Sequence, residues 1–231
     1  RKVLQNIIED FSMLEVIIYR LLTKFPRDCL WVATTRKKED CVVRQIAEKY
    51  NLKTVSGDSF DVLSRFEKVC DDADPEWIVR VTADNPLTCP ELCISLIAQA
   101  VNAPKEIMYI SDKKNHRRFP QGMVPEIVRA DTLMHLRKSI PTDQSYHLTH
   151  VTSSIPDKNK ADFELLGIPD VAGIRLTVDE CADLEVIKGI FKNAEKDWRF
   201  LNLNDVHQLK ISKPYLFLKN KDVKQKDIRD G

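Results

Sequence analysis

Two aspartates stand at the ends of two predicted strands, where an α/β sheet binds its ligand. Asp84 follows an apolar run at residues 78–81, and Asp179 follows a similar run at residues 174–178. Ligands of open α/β sheets lie beyond the carboxyl ends of the strands, and Mg²⁺ takes one or two carboxylates together with phosphate oxygens. The two segments therefore predict that Asp84 and Asp179 converge on one magnesium ion that carries phosphates.

Both aspartates also have a structural interpretation. Asp84 is followed by Asn85 and Pro86, a composition typical of a turn. Asp179 precedes a predicted helix, and aspartate commonly caps the first turn of a helix. From the local sequence alone, both interpretations stay open for each residue.

Two arginines are candidates for binding phosphate. Arg65 lies in a predicted helix and could grip a phosphate with its planar guanidinium, or could simply be solvated. Arg80 lies within a predicted strand, where an unpaired charge is costly to bury. It is therefore either a residue of the site or the partner of a buried acid.

The order of apolar segments predicts an α/β fold with a parallel, doubly wound sheet. The run at 78–81 is typical of a strand buried on both faces, and so is the run at 29–34. Pro125 predicts that the strand at 123–128 is an edge strand or contains a bulge. Thr88, with Glu91 three residues on, predicts a helix N-cap. Strands are predicted at 29–34, 53–55, 77–82, 107–111, 123–128 and 174–178, and helices at about 12–24, 37–51, 61–70, 91–102, 130–138, 143–153, 182–193 and 203–211.

Composition narrows the class of protein. The 231 residues, 43% of them hydrophobic, suffice for one domain over residues 1–218, with a charged tail at 219–231 that frays. The net charge of +1 argues against nucleic-acid binding, and no apolar run approaches the ~18 residues of a membrane span. The six cysteines form no CxxC pair, which favours reduced thiols and a cytoplasmic protein without a secretory signal.

Two motifs carry a resemblance to a known family. VRVTADNPLTCPEL at residues 79–92 and RLTVDECADLE at residues 175–185 resemble segments of the cytidylyltransferases named after spore-coat polysaccharide biosynthesis. These are relatives of acylneuraminate cytidylyltransferase and of CMP-3-deoxy-manno-octulosonate synthetase. The resemblance implies a Rossmann-like nucleotidyltransferase sheet with helices on both faces, and Mg²⁺ held by Asp84 and Asp179.

The resemblance also implies roles for further residues. Lys2, Arg65 and Arg80 match positions that contact the nucleotide. In FPQGMVPEIV at residues 119–128, Gly122 and Glu126 match positions that bind the sugar substrate.

The sequence also departs from the family pattern. Gln121 and Val124 replace two aspartates of that pattern. His150 matches a family histidine that is either structural or titrates with pH.

The implied reaction transfers CMP from CTP to a surface-polysaccharide sugar, of acidic type, with release of pyrophosphate. Two alternatives stay open: a nucleotidyltransferase for another nucleotide, and a degenerate domain that binds sugar nucleotides without catalysis, as the replacements Gln121 and Val124 suggest. The basic segment at 113–118 is either a solvated loop or a contact for a sugar carboxylate.

The resemblance implies a homodimer built on an excursion at residues 112–130. Its apolar side chains would lie on a sheet edge and invite pairing, unless they pack on their own core. The apolar residues of the excursion are Phe119, Met123, Val124, Ile127 and Val128.

At the amino end, residues 1–4 resemble the close of the family's opening signature, and Lys2 matches its lysine. We expect the first strand and the basic phosphate loop of that signature to be missing here.

Overall fold

The computed structural model describes residues 2–112, 118–139 and 152–223. Its first elements are a small hairpin and a capped helix. β1 (Asn6–Ile8) pairs antiparallel with β2 (Phe11–Ser12). Ser12 and Glu15 then form a capping box, in which each side chain accepts a hydrogen bond from the other residue's backbone N–H. Helix α1 (Met13–Leu22) therefore begins close to its predicted position.

A parallel pair of strands follows the hairpin. β3 (Trp31–Thr35) and β4 (Lys53–Gly57) are joined through helix α2 (Cys41–Lys49), as the alternating pattern predicts. Helix α3 (Val62–Ala73) comes next, with the Asp61 side chain accepting from the Ser64 N–H at its start. The prediction that the first of these strands is buried is wrong, because β3 is mostly half-buried.

The second sheet is mixed, not parallel, and its strand order is β5-β7-β6-β8. β7 pairs antiparallel with both β5 and β6, whereas β6 and β8 are parallel. The predicted edge strand is thus an inner strand. Pro125 directly precedes its first residue, so the missing N–H disrupts no ladder bond. β5 is half-buried along its length, not buried on both faces. The four strands are β5 (Trp77–Arg80), β6 (Tyr109–Ser111), β7 (Glu126–Arg129) and β8 (Lys160–Asp162).

The remaining helices confirm the predicted helical segments within the described residues. The predicted helix at 143–153 lies outside them, except that residues 152–153 form a turn. The described part of the chain has seven α-helices, and none of them is long and apolar enough to cross a membrane. The other four are α4 (Pro90–Val101), α5 (Ala130–Ser139), α6 (Cys181–Asn193) and α7 (Leu203–Ser212).

The predicted strand at 174–178 is extended but forms only one parallel bridge, between Arg175 and Gln121. The Gln121 N–H donates to the Ile174 carbonyl, and the Leu176 N–H donates to the Gln121 carbonyl, both at 2.8 Å. Pairing stops there because the chain turns away at Gly122, whose φ is 89°. The segment that precedes Asp179 is therefore attached to its neighbour through Gln121 and not through a full ladder.

The core contains the side chains that were predicted to form a dimer arm. Phe119, Met123 and Ile127 are fully buried, and Val128 is 1% exposed. These side chains therefore pack within their own chain, and the expectation that they form an exposed apolar edge is wrong. Pairing of two chains stays a prediction from the resemblance alone.

The carboxyl-terminal segment also differs from expectation at its start. A short 3₁₀ turn at Pro214–Leu218 buries Leu216, and Asn220 is only 3% exposed. Residues 224–231 lie outside the described chain. The predicted fraying is therefore wrong for Asn220, which belongs to the folded structure.

Candidate active site

The structure brings Asp84 and Asp179 together, as the sequence predicts. The backbone N–H of Val178 donates a 2.8 Å hydrogen bond to the Asp84 carbonyl, which joins the two loops. The Lys2 Nζ lies 2.9 Å from Asp179 Oδ1 and 3.8 Å from Asp84 Oδ2. The carboxylates of Asp84 and Asp179 are 30% and 27% exposed, so they are reachable from solvent.

Local hydrogen bonds fix the loop that carries Asp84. The Thr82 hydroxyl donates to Asp84 Oδ1 at 2.5 Å, and the Asn85 side-chain amide donates to the Thr82 hydroxyl at 2.7 Å. Thr88 is not the N-cap of α4, because its hydroxyl donates to the Asn85 carbonyl and the helix begins one residue later, after Cys89. The turn interpretation of Asp84 is thus correct locally, and its carboxylate still faces Lys2.

The loop that carries Asp179 is held by two residues that sequence reasoning missed. Arg175 Nη2 lies 2.6 Å from Asp179 Oδ2, and Arg175 Nε lies 2.9 Å from Asp183 Oδ1. Asp183 Oδ2 accepts the backbone N–H groups of Asp179 and Glu180 at 2.9 and 3.0 Å. The spacing of Arg175, Asp179 and Asp183, four residues apart each time, was the available signal.

These contacts keep both acids of the Asp179 loop ionised. Burial opposes the charge of Asp179, but hydrogen bonds from Lys2 and Arg175 outweigh it, so the pKa of Asp179 is lowered. Burial likewise opposes the charge of Asp183, and the hydrogen bond from Arg175 together with backbone N–H donors lowers its pKa. Asp179 is therefore a carboxylate at neutral pH, the form that binds a cation.

The donor set fits a magnesium ion that is shared with a nucleotide. Among the described residues, no cluster of three or more His, Cys, Asp or Glu side chains could hold a metal by itself. Asp84 and Asp179 offer two carboxylates, which is what Mg²⁺ takes when phosphates supply further ligands. The Lys2 ammonium lies within ion-pair distance of both carboxylates, so the two acids already share one positive charge.

Arg80 and Glu126 bind each other. They are opposite one another across β5 and β7, and Arg80 Nη1 lies 3.2 Å from Glu126 Oε2. The Thr152 hydroxyl donates to the same oxygen at 3.3 Å. Of the two interpretations of Arg80, the structure supports the partner of a buried acid. Contacts of Arg80 with the nucleotide and of Glu126 with the sugar stay predictions.

Arg65 is partly buried and lacks one partner. Its side chain packs on Gly57, where a Cβ would lie 2.6 Å from Arg65 Cγ. Its Nε has no hydrogen-bond partner in the described part of the chain, and burial lowers the pKa of the guanidinium. A buried donor without a partner is costly. The nucleotide contact of Arg65 stays a prediction.

Gly122 lies against the two loops that carry Asp84 and Asp179. A Cβ at this position would be 2.7 Å from Asn85 Oδ1 and 2.9 Å from the Thr177 backbone nitrogen. Its φ of 89° also suits glycine. Gly122 thus has a structural role next to the acid pair, and its contact with a sugar stays a prediction.

The two residues that replace family aspartates have structural contacts. Gln121 forms the bridge to Arg175, and Val124 packs against the hydrophobic core. His150 and residues 113–117 lie outside the described chain.

An α/β fold with two aspartates on neighbouring loops defines a candidate nucleotidyltransferase, and comparison with known proteins identifies the family. A family model described as cytidylyltransferase matches residues 1–181. The chain therefore belongs to the cytidylyltransferase family. It is 27% identical over 191 residues to the spore coat polysaccharide biosynthesis protein SpsF of Bacillus subtilis (strain 168), covering 79% of this chain and 76% of that protein.

Other similar proteins cover more of the chain. An uncharacterized protein of Methanocaldococcus jannaschii is 28% identical over 228 residues, which are 96% of this chain and 88% of that protein. A solved cytidylyltransferase of Leptospira borgpetersenii superposes with a TM-score of 0.84 at 19% identity, covering 98% and 92% of the two chains. CMP:2-keto-3-deoxy-manno-octonic acid synthetase, solved with CTP, gives a TM-score of 0.58 at 15% identity over 83% and 91%. The two structures establish the fold.

Proposed function

We propose that the chain transfers CMP from CTP to a sugar of a surface polysaccharide, an acidic sugar, and releases pyrophosphate. The observation that carries the proposal is the convergence of Asp84 and Asp179 beside Lys2. Membership of the cytidylyltransferase family and the solved relative with CTP support the nucleotide. The relative named for spore coat polysaccharide biosynthesis supports the class of sugar.

In this reaction the sugar hydroxyl oxygen bonds to the α-phosphorus of CTP. The bond from that phosphorus to the oxygen that bridges it to the β-phosphate breaks, and the hydroxyl proton passes to water. Asp84 and Asp179 would hold Mg²⁺, which supplies charge neutralisation on the phosphate oxygens. Lys2 and Arg65 would contact the phosphates, and Arg175 would keep the Asp179 carboxylate oriented.

The proposal also includes a cytoplasmic location and a homodimer. A cytoplasmic location is supported by the six cysteines, all of which are free thiols. A homodimer would use a surface other than the buried side chains of the excursion, Phe119, Met123 and Ile127.

The test is pyrophosphate release by the full-length protein with CTP, UTP, ATP or GTP and a panel of sugar acids and neutral sugars. We expect turnover with CTP and Mg²⁺, and a loss of at least about a hundredfold in kcat/KM for Asp84→Asn and for Asp179→Asn, or ~2.7 kcal/mol of transition-state stabilisation. The matched control is Asp157→Asn, because the Asp157 side chain is 90% exposed.

The alternatives predict other outcomes of the same assay. Turnover with GTP in place of CTP would favour a nucleotidyltransferase for another nucleotide. Nucleotide binding without pyrophosphate release for any sugar would favour a degenerate binding domain. Full activity of both aspartate variants would contradict the proposed site.

A further inference from the structure

The side-chain amide of Asn220 is a buried polar group that contacts the candidate site from the carboxyl-terminal segment. It is 3% exposed and lies in the segment after α7. Its Nδ2 donates to Asp183 Oδ1 at 2.8 Å and to the Arg175 carbonyl at 3.1 Å, and both hydrogen bonds are buried. Asn220 therefore binds the two residues that hold the Asp179 loop.

The preceding 3₁₀ turn fixes the position of Asn220. Leu216, in this turn, is 4% exposed and packs on α6 at Gly189, where a Cβ would lie 3.0 Å from Leu216 Cδ2. Lys219 adds an exposed ion pair with Glu185 at 2.9 Å, also on α6. The segment is thus attached to the same helix whose first turn follows Asp179.

Asp183 is the centre of the network. It has no exposed surface, and each of its carboxylate oxygens accepts several donors. Oδ1 accepts from Arg175 Nε and Asn220 Nδ2, and Oδ2 accepts from the backbone N–H groups of Asp179 and Glu180 and from Arg175 Nη2. Arg175 Nη2 also reaches Asp179 Oδ2. The orientation of Asp183 therefore sets both the backbone and the carboxylate of Asp179.

We propose that Asn220 is a positioning residue for the Asp179 carboxylate and acts through Asp183 and Arg175. The proposal rests on the proposed function, in which Asp179 binds the metal ion. Groups that hydrogen-bond to metal ligands fix the orientation of those ligands, and their loss typically weakens metal binding by about 10–100-fold. The family match ends at residue 181, so Asn220 extends the site into a part of the chain that the family model does not cover.

The test measures the binding of Mn²⁺ alone, by electron paramagnetic resonance, to the folded full-length protein at 25 °C. We expect Asn220→Ala to weaken Mn²⁺ binding by about tenfold. The control is Asn193→Ala. Asn193 is the last residue of α6, about 18 Å along the helix from its start, and its side-chain amide donates to the Gly189 carbonyl of the same helix. That variant should bind Mn²⁺ like the wild type.

Amide hydrogen exchange supplies a second measurement that does not depend on metal. If Asn220 acts on the loop, exchange at the Asp179 and Glu180 N–H groups accelerates by more than the change in the free energy of unfolding accounts for. A purely structural role would accelerate exchange throughout the core to the same extent. Asn220→Ser, with a smaller polar side chain, is measured in parallel in case the alanine variant does not fold.

The outcomes separate this inference from the proposed function. Loss of Mn²⁺ binding in Asp179→Asn but not in Asn220→Ala would overturn the inference and leave the function standing. Unchanged Mn²⁺ binding in Asp179→Asn would overturn the metal site and the inference with it. Failure of both Asn220 variants to fold would make Asn220 a folding residue and overturn the inference.

Discussion

Arg80 and Glu126 form an ion pair at 3.2 Å across the antiparallel strands β5 and β7. The Glu126 side chain is 9% exposed and that of Arg80 is 20% exposed. Removing one partner of such a pair leaves a poorly solvated charge, whereas replacing both leaves none. The stability of the sheet therefore depends on Arg80, which is the last residue of β5 and lies four positions before Asp84.

We expect Arg80→Met to lower the free energy of unfolding by about 2 kcal/mol, less than the ~3–5 kcal/mol of a fully buried pair because Arg80 is partly exposed. The double variant Arg80→Met, Glu126→Leu should recover at least half of this loss. Urea denaturation at pH 7 measures both. A double variant that is less stable than Arg80→Met would contradict the prediction.

Substitution of Gly122 tests how closely the loops that carry Asp84 and Asp179 pack on each other. Gly122→Ala adds a methyl group within 2.7 Å of Asn85 Oδ1 and must also adopt a φ of 89°. Gly167 has a φ of 67° but no atom within 4 Å of a Cβ, so Gly167→Ala carries the backbone strain alone. We expect a cost of about 1 kcal/mol for Gly167→Ala and about 3 kcal/mol for Gly122→Ala in urea denaturation. Equal costs would show that packing at Gly122 adds nothing.

Arg175 makes the stability of the protein depend on pH. Burial opposes both charges, but the folded-state pKa values of Asp179 and Asp183 are lowered. Hydrogen bonds from Lys2 and Arg175 outweigh burial at Asp179, and those from Arg175, Asn220 and backbone N–H groups outweigh it at Asp183. Their contribution is therefore fully present above the unfolded pKa of about 3.9 and is lost as the pH falls through the lower folded values.

In Arg175→Met, the buried Asp183 carboxylate loses its counter-charge, so its folded pKa rises and this contribution becomes smaller. We expect the difference in unfolding free energy between wild type and Arg175→Met to be largest above about pH 5 and to shrink below about pH 3. Urea denaturation at a series of pH values measures the difference. A difference that does not change with pH would exclude a role for the aspartate charges.

The meeting of Asp84 and Asp179 was predictable because it depends on a local pattern that occurs twice. Each aspartate follows an apolar run and precedes a helix. Asp84 therefore lies shortly after β5, and Asp179 lies directly after the segment at 174–178. The direction of β7 was missed, although a signal was present. Parallel strands need a long crossover connection, usually a helix, and no helix was predicted between 111 and 123.

The four-residue spacing of Arg175, Asp179 and Asp183 was a signal for part of the network behind Asp179, but local sequence does not show that the three side chains meet. Arg175 and Asp183 are eight residues apart, and their hydrogen bonds depend on the turn at residues 179–180. Asn220 is 37 positions from Asp183 and precedes a charged tail, so nothing in its own neighbourhood indicates burial. The apolar excursion was ambiguous for the opposite reason, since apolar alternation fits an inner strand as well as an interface.

Phe119 distinguishes core packing from a dimer interface. It is fully buried and stacks on Phe163 with ring centroids 5.2 Å apart. We expect Phe119→Asp to unfold the protein, because a buried carboxylate has no partner there. The control Leu166→Asp should leave the circular dichroism spectrum unchanged, since Leu166 is 96% exposed. Light scattering on the wild type reports whether it dimerises. A folded, monomeric Phe119→Asp protein made from a dimeric wild type would restore the interface hypothesis.

Lys2 should have opposite effects on metal and nucleotide binding. Its ammonium lies 2.9 Å from Asp179 Oδ1 and 3.8 Å from Asp84 Oδ2, where it competes with a metal ion for the same oxygens. The same charge would attract the triphosphate of CTP under the proposed function. Lys2→Met should therefore bind Mn²⁺ alone more tightly and CTP more weakly. The pair is partly exposed, so we expect each change to be about fivefold, equivalent to ~1 kcal/mol.

The control for this prediction is Lys24→Met, which removes an equal charge from a residue of similar exposure. Lys24 Nζ lies 3.9 Å from Glu91 Oε1, and its side chain is 42% exposed against 37% for Lys2. If net charge alone governed binding, both variants would change Mn²⁺ affinity alike. Electron paramagnetic resonance for Mn²⁺ and calorimetry for CTP, both at fixed ionic strength, measure the two affinities. If Lys2→Met bound Mn²⁺ no more tightly than Lys24→Met, the Lys2 ammonium would not compete for the carboxylates, and the two aspartates would not form a shared cation site.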